Sequence, residues 1–277
     1  MFDPKEASDI DNETIFALAQ NGLEELKLVD SKFEAYEALL FNESSKNLDR
    51  GLQSQQVNDK LGSYIKDYLL FLSPYILLKP SQKTLEWLIR RYQVHLYNVD
   101  DMLACVFPYH QSNLFARVVQ LLNITNTKWS WLSPVQKSGS PLPHSTIIQH
   151  CISNHAFLSF LSGILFYIEG KNEKGYSGLK TFSAFYASTV VGVVDCIDRI
   201  SEDILSLLLS QIINCLKSHM SDLKATAYMI IGQLTMKCVM ELNVVESLLK
   251  TMCKVCSTYF HSIFIFFSNK LKSDMCE

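Results

Sequence analysis

The residues best suited to metal chemistry lie in one short stretch and are His144, His150, Cys151 and His155. Imidazole nitrogens and thiolates are common zinc ligands, but a tetrahedral site needs ligands that converge on one point. His150 and His155 are five residues apart, a spacing that does not put both on one face of a helix. The pattern therefore favours ordinary structural side chains over a metal centre.

A second candidate for metal or redox chemistry is the C-x-x-C pair of Cys253 and Cys256. Such sites need further ligands or a neighbouring strand, and the sequence offers neither, so we expect no metal or other cofactor here. The remaining cysteines mostly lie in apolar segments, as small core residues of an intracellular protein do. They are Cys105, Cys151, Cys196, Cys215, Cys238 and Cys276.

Paired carboxylates are a third candidate, because two acids with different pKa values can act as general acid and general base. Asp195, Asp198, Glu202 and Asp203 lie close together, but Ser201 has the type and position of a helix cap. Acidic residues in a first helical turn suit the helix dipole, so a capped helix start is favoured. Since nucleotide-binding and hydrolase motifs are also missing from the sequence, we predict no catalytic residues, no small-molecule substrate and no enzyme.

The remaining candidate site is a ridge of basic residues, Lys79, Lys83, Arg90 and Arg91, on a predicted helix. The net charge of −3 excludes a globally basic nucleic-acid binder, so any RNA contact needs a local ridge of this kind. Glu86 partly neutralises the ridge, and the periodicity favours a solvated helix over an RNA contact. These four residues are our candidates for contact with RNA or with a protein partner.

Helical periodicity continues along most of the chain, whose 48% hydrophobic and 19% charged residues suit a continuous core. The β-branched run 189–197 continues a helical pattern and is therefore interpreted as helix rather than strand. An apolar stripe on the basic helix is predicted at Leu85, Leu88, Ile89, Tyr92 and Leu96, and a cation–π contact between Trp87 and Arg91. The predicted helices cover 13–30, 32–41, 57–78, 81–96, 100–124 with a break at Pro108, 145–169 and 182–200.

The C-terminal third is the most regular part of the sequence. Ser201 and Asp222 have the positions of helix caps, and Asn243 with Glu246 has the spacing of a capping box. The first and third of these starts are about 40 residues apart, the period of HEAT and armadillo helix pairs. The first helix is predicted to bury Leu205, Leu208, Leu209, Ile212, Ile213 and Leu216.

Short loops between such helices make neighbours antiparallel, and pairs that cannot close a core alone stack on one another. We therefore predict an all-α fold, a HEAT/armadillo-like α-solenoid of stacked antiparallel helix pairs. Its predicted parts are degenerate repeats over 1–132, a Pro/Gly-rich loop over 133–144, HEAT-like repeats over 145–258 and a divergent tail over 259–277. The apolar runs are shorter than the ~20 residues that span a membrane, so no membrane contact is predicted.

Several stretches in order along the chain resemble the N-terminal region of the HEAT repeat-containing protein 1 family, the large U3 small nucleolar RNA-associated HEAT proteins of the small-subunit processome. They are FDPKEA (2–7), NGLEEL (21–26), LSPYILLKPSQKTLEWLIRRYQVHLYN (72–98), DMLACVFPYH (101–110), RVVQLLNI (117–124), AFYAST (184–189) and ATAYMIIGQL (225–234).

The resemblance implies a non-enzymatic scaffold of the nucleus and nucleolus. It implies other processome proteins, U3 small nucleolar RNA and pre-rRNA as partners, and roles in processing toward 18S rRNA and in linked transcription by RNA polymerase I. Family members are much longer and have a further segment before residues 2–7, so we expect this chain to be a fragment or an alternative product. The competing hypothesis is a HEAT-repeat adaptor of the transport or signalling type, which binds peptides on its concave face.

Overall fold

A computed structural model of the chain describes residues 11–171, 177–238 and 242–255. Regular structure in these ranges is helical throughout, with no strand, as the sequence predicts. The α-helices are α1 Asn12–Val29, α2 Glu37–Leu40, α3 Gln55–Leu72, α4 Lys79–Tyr92, α5 Val94–Tyr97, α6 Val99–Val106, α7 Asn113–Leu121, α8 Ser133–Ser138, α9 His144–Ser153, α10 His155–Gly170, α11 Ser177–Cys196, α12 Glu202–Lys217, α13 Ser221–Lys237 and α14 Leu242–Val255.

The chain divides into two compact units. Unit 1 comprises residues 1–147 and 164–182, and unit 2 comprises residues 148–163 and 183–277. The predicted break at 133–144 therefore lies inside unit 1. The predicted repeat ranges 1–132 and 145–258 stay predictions.

Helices α1 and α4 form the main pair of unit 1 and run antiparallel. Phe16 near the start of α1 meets Trp87 near the end of α4, with ring centroids 5.2 Å apart. Further along α1, Gly22 approaches the start of α4 so closely that a Cβ there would lie 2.8 Å from the carbonyl oxygen of Pro80. The absence of a side chain at Gly22 thus permits the two helices to touch.

Helices α3 and α6 of unit 1 run parallel. At one end the Asn98 side chain donates to the carbonyl of Gly62 over 3.4 Å. At the other end the Ser73 hydroxyl donates to the carbonyl of Cys105 over 2.7 Å. Parallel contact between helices that are not consecutive is the stacking that helical repeats use to extend a core.

Helices α12, α13 and α14 follow one another in unit 2, and α12 packs against both of the others. Ser201 caps α12 as predicted, since its hydroxyl accepts from the amide of Ile204 over 3.4 Å. A short connection joins α12 to α13, as in an antiparallel pair. The side chain of Gln211 accepts from the Tyr186 hydroxyl and donates to Ser162 over 2.8 Å, which ties α12 to α11 and α10 within this unit.

That buried glutamine explains an error in the predicted face of α12. The predicted Leu205, Leu209 and Ile213 are only half-buried. The buried face is turned by one residue because Gln211 points inward to its two partners. It consists of Ile204, Leu208, Gln211, Ile212, Cys215 and Leu216.

The starts of α13 and α14 also differ from the prediction. Helix α13 begins at Ser221 without a side-chain cap, so Asp222 lies in its first turn. Helix α14 begins at Leu242, so Asn243 also lies inside the first turn. Glu246 pairs with Lys250 one turn later, at 2.7 Å, rather than closing a capping box.

The segment 133–144, predicted as a loop, contains helix α8. Pro134 suits the first turn of a helix, and Gly139 ends α8 in the left-handed conformation with φ 66°. The predicted helix 145–169 is two helices, α9 and α10, which are bent by 111° at Asn154. Asn154 accepts from the amide of Ala156 over 3.1 Å and so starts the second helix.

Among the described residues no single helix is long and apolar enough to cross a membrane, and α9 with α10 passes that test only as a bent pair. Pro108 separates α6 from α7 through a 3₁₀ turn, as predicted. The tail 259–277 and the thiols of Cys253 and Cys256 lie outside what the structure describes.

Candidate functional site

Helix α4 positions all four predicted contact residues. Leu78 precedes it, Pro80 occupies its first turn, and Gln93 ends it with a left-handed φ of 48°. Because α4 ends at Gln93, the predicted apolar stripe on this helix is shorter than expected. Leu85, Leu88, Ile89 and Tyr92 are buried, whereas Leu96 lies beyond the break and is 53% exposed.

The two lysines lie near the start of α4 and differ in their surroundings. Lys79 is exposed and makes no ion pair with a described residue. Lys83 is half-buried, pairs with Glu25 of α1 at 2.7 Å, and donates to Asn21 as well. The neighbouring helix thus partly neutralises the ridge at Lys83.

The two arginines near the end of α4 bind groups of the same unit. Arg90 pairs with Glu86 at 2.7 Å in the predicted four-residue spacing, and the Glu86 side chain is 9% exposed. Arg91 donates from Nη1 to the main-chain carbonyl of Lys46 over 2.7 Å. The predicted contact of Arg91 with Trp87 is not made.

Trp87 instead lies inside unit 1, where it anchors the chain before α3. Its indole nitrogen donates to the carbonyl of Leu40 over 3.0 Å, and the Tyr92 hydroxyl donates to the same oxygen over 2.7 Å. Burial raises the pKa of Tyr92 to about 12, so this hydroxyl stays a donor at neutral pH. Two buried donors on one carbonyl fix the end of α4 against α2.

Taken together, the four basic residues do not form one free positive surface. Three of them are only partly exposed and have partners in their own unit, whereas Lys79 is exposed and makes no ion pair with a described residue. At most a small area around Lys79 and Lys83 remains for a phosphate or an acidic side chain.

Arg50 is a buried cation that the sequence pattern does not predict. Its guanidinium donates to Asn98 Oδ1 over 2.7 Å and to the carbonyl of Tyr92 over 3.1 Å, and it lies 4.5 Å from the centre of the Tyr97 ring. Desolvation lowers its pKa from the ordinary value. A lone arginine in a polar stretch gives no periodic signal that would have revealed this role.

Unit 1 also contains a cavity of about 140 Å³ lined by Tyr36, Asp67, Leu70, Tyr167, Ile168 and Lys171. Asp67 accepts from the Tyr167 hydroxyl at 2.6 Å and from Lys171 at 2.9 Å. Burial, and then the nearby Asp67 charge, raise the pKa of Tyr36 above its ordinary value. The Asp67 carboxylate thus accepts two hydrogen bonds from side chains near the end of α10, which link α10 to α3 within unit 1.

The predicted metal candidates make separate structural contacts, and His144 contacts His110, which is not among them. His110 and His144 lie with ring centroids 5.2 Å apart, and His110 Nδ1 bonds the Leu142 carbonyl over 2.8 Å. His150 contacts the Phe157 ring at 5.1 Å, and Cys151 is buried. Within the described residues no three His, Cys, Asp or Glu side chains are grouped to hold a metal ion.

The acidic residues near α12 have the predicted structural role. Glu202 and Asp203 lie in the first turn of α12 behind the Ser201 cap. Asp195 accepts from Gln233 of α13 over 3.0 Å, which joins two helices of unit 2.

Comparison with known proteins identifies the sequence family. The family model described as U3 small nucleolar RNA-associated protein 10 matches residues 203–268. This match includes residues 259–268, the first ten residues of the tail predicted to be divergent.

Relatives match nearly the whole chain. HEAT repeat-containing protein 1 of Homo sapiens is 43% identical over 264 residues, which cover 92% of this chain and 12% of the relative. The Danio rerio protein of the same name is 41% identical over 255 residues, which cover 90% of this chain and 12% of the relative. U3 small nucleolar RNA-associated protein 10 of Candida albicans is 31% identical over 250 residues, which cover 85% of this chain and 14% of the relative.

The chain thus spans about an eighth of the length of these relatives. Their names specify HEAT repeats, and the described part of this chain is helical with stacked and paired helices, so the predicted HEAT-type α-solenoid class is confirmed. On this evidence the chain belongs to the HEAT repeat-containing protein 1 family.

Proposed function

We propose that this chain is a non-enzymatic scaffold segment in ribosome biogenesis. It acts in the nucleolus as part of the U3 small nucleolar ribonucleoprotein and the small-subunit processome, in pre-rRNA processing toward 18S rRNA and in linked RNA polymerase I transcription. The observation that carries this proposal is the 43% identity to human HEAT repeat-containing protein 1 over 92% of the chain. The U3-associated family model at residues 203–268 supports the same particle.

The structure supports a scaffold because its polar side chains hold helices together. The Arg50 guanidinium, the Asp67 carboxylate and the Gln211 amide each bind two or more groups of their own unit. Such bonds fix the relative positions of helices within a unit, so that surfaces built on them keep their shape when another molecule binds.

The proposed partners are other processome proteins, U3 small nucleolar RNA and pre-rRNA. The test is to express the tagged full chain in cells and to measure U3 RNA and processome proteins that co-purify with it, beside its location. We expect nucleolar enrichment and U3 recovery well above that of an unrelated small nucleolar RNA. A chain spread through the cytoplasm that recovers transport receptors or phosphatase subunits instead would favour the adaptor hypothesis.

Among the four basic residues, we propose that Lys79 and Lys83 make the RNA contact and that Arg90 and Arg91 serve the fold. The reason is that Lys79 is exposed and Lys83, although paired with Glu25, is one turn further along α4 on the same face. Both arginines are held by Glu86 and by the Lys46 carbonyl at the other end of the helix. Each phosphate that a lysine neutralises changes the slope of log K against log salt by roughly 0.9 for duplex and 0.7 for single strands.

This contact is tested by titrating the purified chain with a U3 RNA fragment at several salt concentrations. The double change Lys79→Gln with Lys83→Gln should reduce the magnitude of the slope by up to roughly 1.8 for duplex RNA and roughly 1.4 for single strands. The control is Lys224→Gln with Lys250→Gln on α13 and α14, which should leave the slope unchanged. Equal slopes for all three chains would refute the RNA contact without affecting the scaffold proposal.

A further inference from the structure

Helix α13 carries exposed apolar residues on the side opposite its buried face. Ala225, Met229, Gly232 and Met236 recur at spacings of four, three and four, which places them in one line along a helix. Met229 is 54% exposed and Met236 is 65% exposed. A Cβ added at Gly232 would meet no atom within 4 Å. These four residues are called the α13 stripe below.

The opposite face of α13 is already buried in unit 2. It presents Leu223, Ala227, Ile230 and Leu234, each 1% exposed or less. Helix α14 packs on α12 and leaves the α13 stripe exposed. Helices that are apolar on two opposite sides are typically buried on both. We therefore expect a second surface to cover the α13 stripe.

The order of small and large residues in the stripe is self-complementary. The midpoint of Ala225 and Met236 and the midpoint of Met229 and Gly232 both lie between residues 230 and 231. If a second α13 lies antiparallel across a two-fold axis at that midpoint, each methionine faces a small residue of the other copy. Large side chains opposite small ones are what close packing of two helices requires.

The charges beside the stripe fit the same symmetry. At 3.6 residues per turn, Asp222 and Lys237 lie on the same flank of α13 near the two ends of the stripe, Asp222 beside the stripe and Lys237 further round the helix. Neither makes an ion pair with a described residue, and Lys237 donates to a main-chain carbonyl, that of Asp195. The two-fold axis brings Asp222 of one copy to within about two residues of the level of Lys237 in the second copy.

We propose that the α13 stripe is a dimer contact that binds a second copy of this chain antiparallel, about a two-fold axis at residues 230–231. The four residues extend over about 16 Å of helix, at about 1.5 Å per residue. One helix per copy buries less than the ~1,200–2,000 Å² of stable specific interfaces, so the dimer is reversible and depends on concentration. This proposal does not depend on the proposed function.

Sedimentation equilibrium of the purified full chain over a wide range of concentrations tests the dimer. We expect a reversible monomer–dimer equilibrium, which Met229→Glu with Met236→Glu should weaken at least 10-fold. The control Leu28→Glu places the same charge at a leucine of unit 1 that is 89% exposed, and it should leave the equilibrium unchanged. A monomer at every concentration, or equal weakening by the control, would overturn the proposal.

Thiol cross-linking tests the register. Two differently tagged chains, both with Cys196→Ser to remove an exposed thiol, carry Met229→Cys and Gly232→Cys respectively. We expect a short thiol linker to join residue 229 of one copy to residue 232 of the other, as identified by peptide mass spectrometry. A link between two copies of Met236→Cys, whose positions are about 16 Å apart in the proposed dimer, would contradict it.

Discussion

Helices α4 and α13 differ in how well the charges in their sequences indicate which side chains are exposed. Helix α4 carries the most conspicuous charges of the chain, yet Lys83, Arg90 and Arg91 bind groups of their own unit. Helix α13 carries few charges, yet it exposes Met229 and Met236. A cluster of charged residues in a sequence therefore indicates a contact surface only when those residues are not already paired within their own unit.

The difference has a physical origin in the neighbours of each helix. An antiparallel α1 supplies Glu25 and Asn21 to Lys83, because Gly22 lets the two helices approach closely. The exposed side of α13 has no such neighbour among the described residues. We therefore expect mutations of the buried or paired residues of α4 to act on stability and mutations on the α13 stripe to act on association.

The largest effect is expected from Trp87→Ala on α4. Trp87 is 1% exposed and holds the Leu40 carbonyl, so its removal leaves a cavity and should lower the free energy of unfolding by about 3–5 kcal/mol. The measurement is urea unfolding followed by circular dichroism. Met236→Ala on α13 is the control and should change the free energy by less than about 0.5 kcal/mol. Similar losses for both would remove the distinction between the two helices.

Two glycines give the next largest contrast. Gly22→Ala places a Cβ 2.8 Å from the Pro80 carbonyl oxygen and should destabilise the fold by about 1–3 kcal/mol. Gly232→Ala meets open space inside a helix and should stabilise it by about 0.5–1 kcal/mol. Thermal unfolding of both variants at a concentration where the chain is monomeric measures the difference. Stabilisation by both changes would show that the close approach of α1 to α4 is wrong, and destabilisation by both would show that Gly232 does not face open space.

The pH dependence of stability gives a third test, at His110 of unit 1. Burial lowers the pKa of His110 below its ordinary value of 6.5, against the opposing hydrogen bond to the Leu142 carbonyl, and the His144 ring lowers it further. Well above pH 6.5 the imidazole is neutral in both the folded and the unfolded chain. At lower pH the unfolded chain binds the proton more readily, so the free energy of unfolding falls as the pH drops from 6.5 toward the lowered pKa.

Unfolding of the chain and of His110→Gln between pH 7.5 and 5 measures this contribution. The variant should lose less stability across the range than the chain does, because its side chain at 110 does not titrate. An equally steep fall in the variant would assign the dependence to other groups.

The smallest effect separates the two lysines of α4. Lys83→Ala removes a half-exposed ion pair with Glu25 and should cost about 0.2–1 kcal/mol, less at high salt. Lys79→Ala should cost nothing measurable, since Lys79 makes no ion pair with a described residue. Chemical denaturation at two salt concentrations checks both variants, and an equal cost for the two would show that the Glu25 contact contributes nothing.

The sequence predicts the helices well because the periodicity of apolar residues is a local signal. The helical state of residues 189–196 follows from it and is confirmed, although the helix ends at Cys196 and not at the predicted residue 200. The cap at Ser201 and the break at Pro108 follow from residue type and are also confirmed. Short helices are harder to predict, and α8 depends on Pro134 and Gly139 at its two ends rather than on a repeating pattern.

What the sequence cannot supply is the partner of a polar side chain. Gln211 turns the buried face of α12 because Tyr186 and Ser162 happen to lie opposite it, and both are distant along the chain. The same holds for the basic ridge, since Arg91 meets Lys46, whose carbonyl carries no residue-specific signal. The left-handed conformation of Gln93 ends α4 and so separates Leu96 from the apolar stripe of that helix. A periodic pattern gives no signal for such a conformation.

The proposed scaffold role requires that this chain joins the U3 particle through protein surfaces. Its most direct test is to purify the tagged chain from cells with its partners, digest the RNA, and measure by quantitative mass spectrometry which processome proteins remain bound. We predict that a defined set of these proteins stays with the chain after digestion. Loss of all of them with the RNA would show that RNA alone tethers the chain, and would contradict the scaffold.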